Sequence, residues 1–291
     1  MTDQIEGDQD EADKNNNSVG KVPFALSPAH ANGDKIINGF TKMGQALIQE
    51  ASTPLKTKFD GKSLLNLTTF LRDIEHQAYS SNWNDILTIP DPKGVRKHLV
   101  HYYGLVTLAD VRVNALTYIG KSTRNAQNSS HMYTCLTGSL TKKFHQKIRQ
   151  KSHLYCFGEE RTPDGPSFLK VLIQQCAKDI GLTVARIHHK LSRLDSYLVS
   201  IDFDIEKFHL YVRIHKMALQ SHGEDYPELL MNLFKAYIGV DDNSFRSLMD
   251  HNYDRYMDGS LDFTVYTLLE AAEKGYIWRV ADNRWRVHVT K

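Results

Sequence analysis

Apolar residues recur at steps of three and four along most of this chain, and strand-like alternation is nearly absent. The clearest run opens the stretch 182–274, where Val184, Ile187, Leu191, Leu194 and Leu198 form one stripe. That spacing puts all five on one side of an α-helix, and a chain patterned this way folds by packing helix faces together. The same period runs through Ile36, Ile37, Phe40, Met43 and Leu47, and again through Leu64, Leu67, Phe70, Leu71 and Ile74, with Pro54 between them and Phe59-Asp60-Gly61 as a turn. A short helix or turn at 83–89 stops at Pro90 and Pro92, after which 95–103, 105–119 and about 130–150 continue in helical period.

Residues 158–166, Gly-Glu-Glu-Arg-Thr-Pro-Asp-Gly-Pro, concentrate turn formers and read as a linker. Beyond it, helices are expected near 167–178, 182–199, 204–222, 226–238, 242–257 and 262–274. The fold class is therefore all-α with two helical lobes: an N-terminal lobe at 35–157, the linker, a C-terminal lobe at 167–278, and an extension at 279–291. No internal repeat of fixed period is visible.

Residues 1–34 are acidic, Asn-rich and poor in bulky apolar groups, which predicts a disordered tail. Six acids against Lys14 give residues 1–20 a charge of −5, so the formal +2 of the chain conceals +7 on the remainder. A basic folded part favours an anionic partner. At 291 residues and 41% hydrophobic the chain can bury a real core. Cys135, Cys156 and Cys176 are too few and too scattered for a disulfide framework or a zinc knuckle, and read as buried thiols in a reducing compartment. The N-terminus has no apolar signal region, and no stretch reaches the ~18 consecutive apolar residues of a membrane span, so a cytoplasmic protein with no membrane partner is expected.

Catalytic motifs fail on inspection. Gly-Lys-Ser at 61–63 and 120–122 invites a phosphate loop, but the glycine needed five residues before the second one is Lys56 in one case and Ala115 in the other. Fourteen histidines, including His188-His189, His98 with His101, and His209 with His215, lack a His-Glu-x-x-His or Cys/His arrangement and read as ordinary surface or core residues. No nucleophile elbow occurs, and no cofactor or metal is expected.

Charge is more informative. Lys142, Lys143, Lys147, Arg149 and Lys151 crowd ten residues without an acid, over an apolar stripe of Leu136, Leu140, Phe144 and Ile148. Helical geometry groups Lys142, His145 and Arg149 on the far face, while Lys143 and Lys147 lie along the stripe edge with their stems on apolar surface. Arg186, Lys190 and Arg193 repeat the arrangement opposite the Val184 stripe. These eight residues are the candidate nucleic-acid contacts, through phosphates. The aromatics fall at core spacing and form no base-stacking platform. The second lobe carries more apolar residues than one small bundle needs, which marks Leu229, Leu230, Phe234 and Met249 as candidates for self-association.

Taken together, Lys58-Phe-Asp-Gly61, the Trp83 segment, Lys147-Ile-Arg-Gln-Lys-Ser-His-Leu-Tyr-Cys-Phe-Gly158, Ser192-Arg-Leu-Asp-Ser-Tyr197, Ile205-Glu-Lys-Phe208 and Leu229-Leu-Met-Asn-Leu-Phe-Lys-Ala-Tyr237 resemble the Gag protein of Ty1/copia-type LTR retrotransposons, especially those of diatoms and related algae. The resemblance spans roughly 59–278. It implies a capsid-like, non-enzymatic protein of two helical lobes that forms homo-oligomeric assemblies and binds RNA. The Cys-x2-Cys-x4-His-x4-Cys knuckle that often follows such a region is not present, so the RNA binding implied is non-specific and the chain reads as a Gag fragment, a degenerate insertion or a retained host gene. Two alternatives differ in class: a Gag-derived helical interaction module without assembly, and a helical enzyme whose site is assembled from residues distant in sequence.

Overall fold

Side-chain caps decide where most of the helices begin. The computed structural model describes residues 35–282 and 284–285, so the tail expected at 1–34 and most of the end of the 279–291 extension lie outside the described residues. The first group of helices is α1 (Lys42–Ser52), α2 (Leu64–Ser81), α3 (Asn84–Leu87), α4 (Leu108–Ala115), α5 (Arg124–Gly138), α6 (Lys142–Arg149) and α7 (Gly165–Asp179). The second is α8 (Val184–Leu191), α9 (Leu194–Ser200), α10 (Ile205–Ser221), α11 (Leu229–Ile238), α12 (Asn243–Met257) and α13 (Val265–Ala281). Ser63, Thr107, Asp164, Thr183 and Asp242 each accept a hydrogen bond from a backbone amide of the first turn that follows, satisfying donors that the helix itself cannot. The all-α reading holds: the only sheets among the described residues are two small antiparallel pairs, β1 (Thr88–Pro90) with β2 (Arg96–His98) and β3 (Cys156–Phe157) with β4 (Thr162–Pro163).

Several local expectations give way to tertiary structure. The helix expected over 95–103 is instead β2 and a series of turns. Asp91 Oδ1 accepts the amides of Lys93 and Val95 at 2.9 Å each, and Asp91 pairs with Lys97 at 2.6 Å, closing a hairpin around Gly94 at φ 81°. The segment read as continuous over 130–150 breaks into α5 and α6. The Phe59 amide donates to the Ser139 carbonyl and the Thr141 amide to the Phe59 carbonyl, so the backbone between the helices is used by a distant segment. The Val184 stripe likewise spans two helices, broken at Ser192-Arg193. At the other end, Thr41 caps α1, which leaves Phe40 before the helix and almost fully exposed.

The chain does not divide at 158–166. Its Pro/Gly cluster makes the exposed tip of the β3–β4 hairpin and then the start of α7, where Asp164 is the cap and Pro166 lies in the first turn, a place proline suits. Helix α7 packs against α5, α4, α2 and α6 of the first group. Phe168, Leu169, Val171, Leu172, Ile173 and Cys176 on it are at most 2% exposed. At ~1.5–3 kcal/mol per large apolar side chain, their burial is worth on the order of 10 kcal/mol gross, far more than a hinge segment would carry. The change from one group of helices to the other falls at 180–183, where Gly181 adopts φ 60°. Even there the apolar core is continuous, because α2 packs on α10 and the amides of Gly104 and Leu105 both donate to the Ser221 carbonyl.

Candidate nucleic-acid interface

Helix α6 is held by two residues of its apolar stripe. Phe144 and Ile148 are buried, and the Phe144 ring meets Phe59 edge-on at 5.3 Å between centroids. This anchoring turns the basic residues outward, but not all of them stay available. Lys147 Nζ donates to both carboxylate oxygens of Asp179 at 2.6 and 2.7 Å, and Lys151 Nζ donates to Gln175 Oε1 at 2.5 Å. Gln175 Nε2 in turn donates to Asp179 Oδ1, so these contacts tie α6 to the last turn of α7. Lys142, Lys143 and Arg149 are exposed and make no ion pair among the described residues.

Helix α8 repeats the design with Ile187 and Leu191 buried and Arg186 and Lys190 exposed. Arg186 Nη1 donates to the Gly181 carbonyl at 3.2 Å, which fixes the guanidinium against the turn at 180–183. Arg193 is not on this helix. It is exposed at the cap position of α9, so the sequence reading of three cations on one helical face is corrected to two cations on α8 and one beyond its end.

Both basic segments therefore meet at the same turn. Lys147 reaches Asp179 on its near side and Arg186 reaches Gly181 on its far side. Between this turn and the start of α2 lies a cleft of about 430 Å³ whose lining includes Lys62, Arg186, His189 and Lys190, with no Asp or Glu. Lys62 and His189 were not singled out from sequence as nucleic-acid contacts. Lys62 sits in a Gly-Lys-Ser string without phosphate-loop spacing and His189 in a pair without metal-ligand spacing, so neither carries a local signal of the cleft.

The self-association residues are placed where they cannot associate. Leu229, Phe234 and Met249 are at most 2% exposed, and Leu230 is half-buried against the core. Phe234 alone packs on the rings of Tyr253, Tyr256 and Phe263. The apolar excess is consumed because α11 packs against α9, α12 and α13 at once, as its Leu-Leu-Met-Asn-Leu-Phe sequence, apolar nearly all round, requires. Exposed apolar surface lies instead on α13, where Trp278 is 74% exposed beside Ile277 and Val280.

The histidine groups do not converge either. Buried His209 Nε2 lies 2.8 Å from the Tyr237 hydroxyl, and buried His215 donates through Nδ1 to the Tyr211 carbonyl at 2.7 Å. Among the described residues no group of three His, Cys, Asp or Glu is placed to hold a metal, and no helix is long and apolar enough to cross a membrane. Cys135 and Cys176 are buried, and burial pushes their thiols up to about 11 and about 12, so both stay protonated; Cys156 is half-exposed rather than buried.

No protein-family model, curated protein or solved structure matches this chain.

Proposed function

We propose that this chain is a non-enzymatic, Gag-like structural protein of the cytoplasm that binds single-stranded RNA through phosphates and associates with copies of itself. One observation carries the RNA half: two basic helices far apart in sequence, α6 and α8, are tied to the end of α7 and to the turn that follows it, where α8 shares with Lys62 a cleft whose charged lining is cationic. A merely solvated helix face gives no reason for that convergence. The resemblance to Ty1/copia Gag supports the same reading.

Phosphate neutralisation leaves a measurable signature. Each single-strand phosphate contact contributes about −0.7 to the slope of log K against log salt. Replacing Lys142, Lys143 and Arg149 together by Ala should flatten that slope by up to about 2 in an oligoribonucleotide titration. These three are the right choice because Lys147 and Lys151 already have partners on α7. An unchanged slope and affinity would reduce α6 to a solvated surface and leave a helical interaction module as the better account.

The assembly half moves to α13. Exposed Ile277 and Trp278 form an apolar surface of the kind that drives concentration-dependent association. Sedimentation over about a hundredfold range of concentration should show mass rising with concentration, and Ile277→Lys/Trp278→Lys should return the protein to monomer. A strict monomer throughout removes assembly from the proposal.

A further inference from the structure

Gly61-Lys62-Ser63 lacks the spacing of a phosphate loop, yet the fold puts it at a basic cleft. Gly61 adopts φ 68°, and a Cβ there would lie 2.5 Å from the Phe144 ring, so only glycine makes this turn. The turn delivers Lys62 to the cleft just before α2 begins. From the opposite wall come Arg186, steadied by the Gly181 carbonyl, and Lys190. Lys62 pairs with Asp60 at 3.2 Å, through a lysine side chain that is 78% exposed. An exposed pair of that kind is worth little, and a phosphate held by three cations outcompetes it.

The cleft is not uniformly polar. Leu64, Ile180, Leu182 and Ile187 line it together with the cations. Its volume of about 430 Å³ is several times what a phosphate ion needs and lies in the range of small-ligand sites. Cations with an aliphatic floor suit a phosphate ester with a flat organic body. A base stacked inside a duplex could not enter, whereas a base in a single strand can be turned out.

We propose that this cleft binds one nucleotide unit, its phosphate against Lys62, Arg186 and Lys190 and its base on the aliphatic floor. The proposal deepens the RNA reading when the unit belongs to a strand, but the site as built also accepts a free nucleotide. Base identity matters little, because the floor offers contact without a directed hydrogen-bond pattern.

The test uses the full chain and Lys62→Ala/Lys190→Ala, two exposed positions whose loss leaves the core untouched. The probes are inorganic phosphate, AMP, a uridine oligonucleotide and an RNA duplex, read by calorimetry, with circular dichroism as the check on folding. AMP should bind saturably and more tightly than phosphate, and about tenfold more weakly to the variant, which has lost two charge-assisted contacts. Competition between AMP and the oligonucleotide, with the duplex a poor competitor, places a strand in the cleft. AMP binding that the oligonucleotide does not affect supports the site with a free nucleotide as its ligand. Absent AMP binding, or equal binding by the folded variant, overturns the proposal. If that happens while the α6 triple variant still flattens the salt slope, the cleft fails and the RNA reading stands. If AMP binds through the cleft and no RNA binds the wild type, the reverse holds.

Discussion

Asp164→Ala should cost about 3–4 kcal/mol of folding stability, measured as a lower urea midpoint at unchanged m. Asp164 is fully buried. Its Oδ1 accepts the hydroxyls of Tyr118 and Ser129, both at 2.7 Å, and its Oδ2 accepts the Ser167 amide at 2.8 Å as the cap of α7. Ser129 Oγ also accepts the Gly165 amide at 2.9 Å, so one carboxylate ties the turn after α4, helix α5 and the start of α7 together. Burial, and then the neighbouring carboxylate, raises the Tyr118 phenol far above its usual range, which keeps it a donor. Removing the carboxylate leaves two buried hydroxyls without their acceptor, at about 1–3 kcal/mol each, and an uncapped helix, at about 1 kcal/mol. Relief from holding a buried carboxylate offsets part of that sum. Asn at 164 keeps an acceptor but adds an amide donor with no partner, so its loss should be intermediate. A change below about 1 kcal/mol for Ala would show that α7 is held by its apolar face alone.

The same carboxylate shows why 158–166 has the composition of a linker and yet starts a helix. Asp-Gly-Pro has the composition of a loop, but it is also the composition of a helix start, with the cap first and proline in the first turn. What decides between the two is the run Phe168 to Ile173, apolar at nearly every position and therefore buried on all sides. Helices α2, α7, α10 and α12 were legible because each has a cap and an uninterrupted apolar period. The breaks at Ser139–Thr141 and Ser192-Arg193 were not, because the apolar period runs through both and the first is made by Phe59, some eighty residues away. Of the candidate site, the cations of α6 and α8 could be read from charge spacing. Their convergence could not, since it depends on where α7 ends. Lys62 enters the cleft through a turn whose glycine is required by the Phe144 ring, a contact that no local pattern announces.

Acid should unfold this protein well before its carboxylates titrate. His209 and His215 on α10 are 3% and 2% exposed, and burial pulls both from 6.5 down to about 4. Arg213 adds to the effect at His209, where Tyr237 and Glu273 are the other polar neighbours. At His215 the hydrogen bond to Tyr211 opposes the shift and Lys190 adds to it. The unfolded chain takes up these protons near pH 6.5, whereas the folded chain does not until about pH 4. Between those values the unfolded state binds more protons, so stability is complete above pH 6.5 and falls as pH drops towards 4. Each site should lose about 2 kcal/mol by pH 5, and the pair about 4 kcal/mol, a large share of a typical 5–15 kcal/mol. His98 and His131, lowered chiefly by burial to about 4, act in the same direction and window. The depressed carboxyls of Asp195 and Asp242 matter only below about pH 4, so the two windows separate. Urea midpoints from pH 7.5 to 4.5 should therefore fall steeply, and the double variant His209→Gln/His215→Gln should fall less steeply from whatever starting stability it has. A flat profile for the wild type would show that these imidazoles are protonated in place. The consequence reaches the RNA measurements, because acid loosens α10, the helix that packs against α8. A gain in RNA affinity below pH 6 would then report an unfolding chain, and the salt slopes that test the interface belong above pH 7.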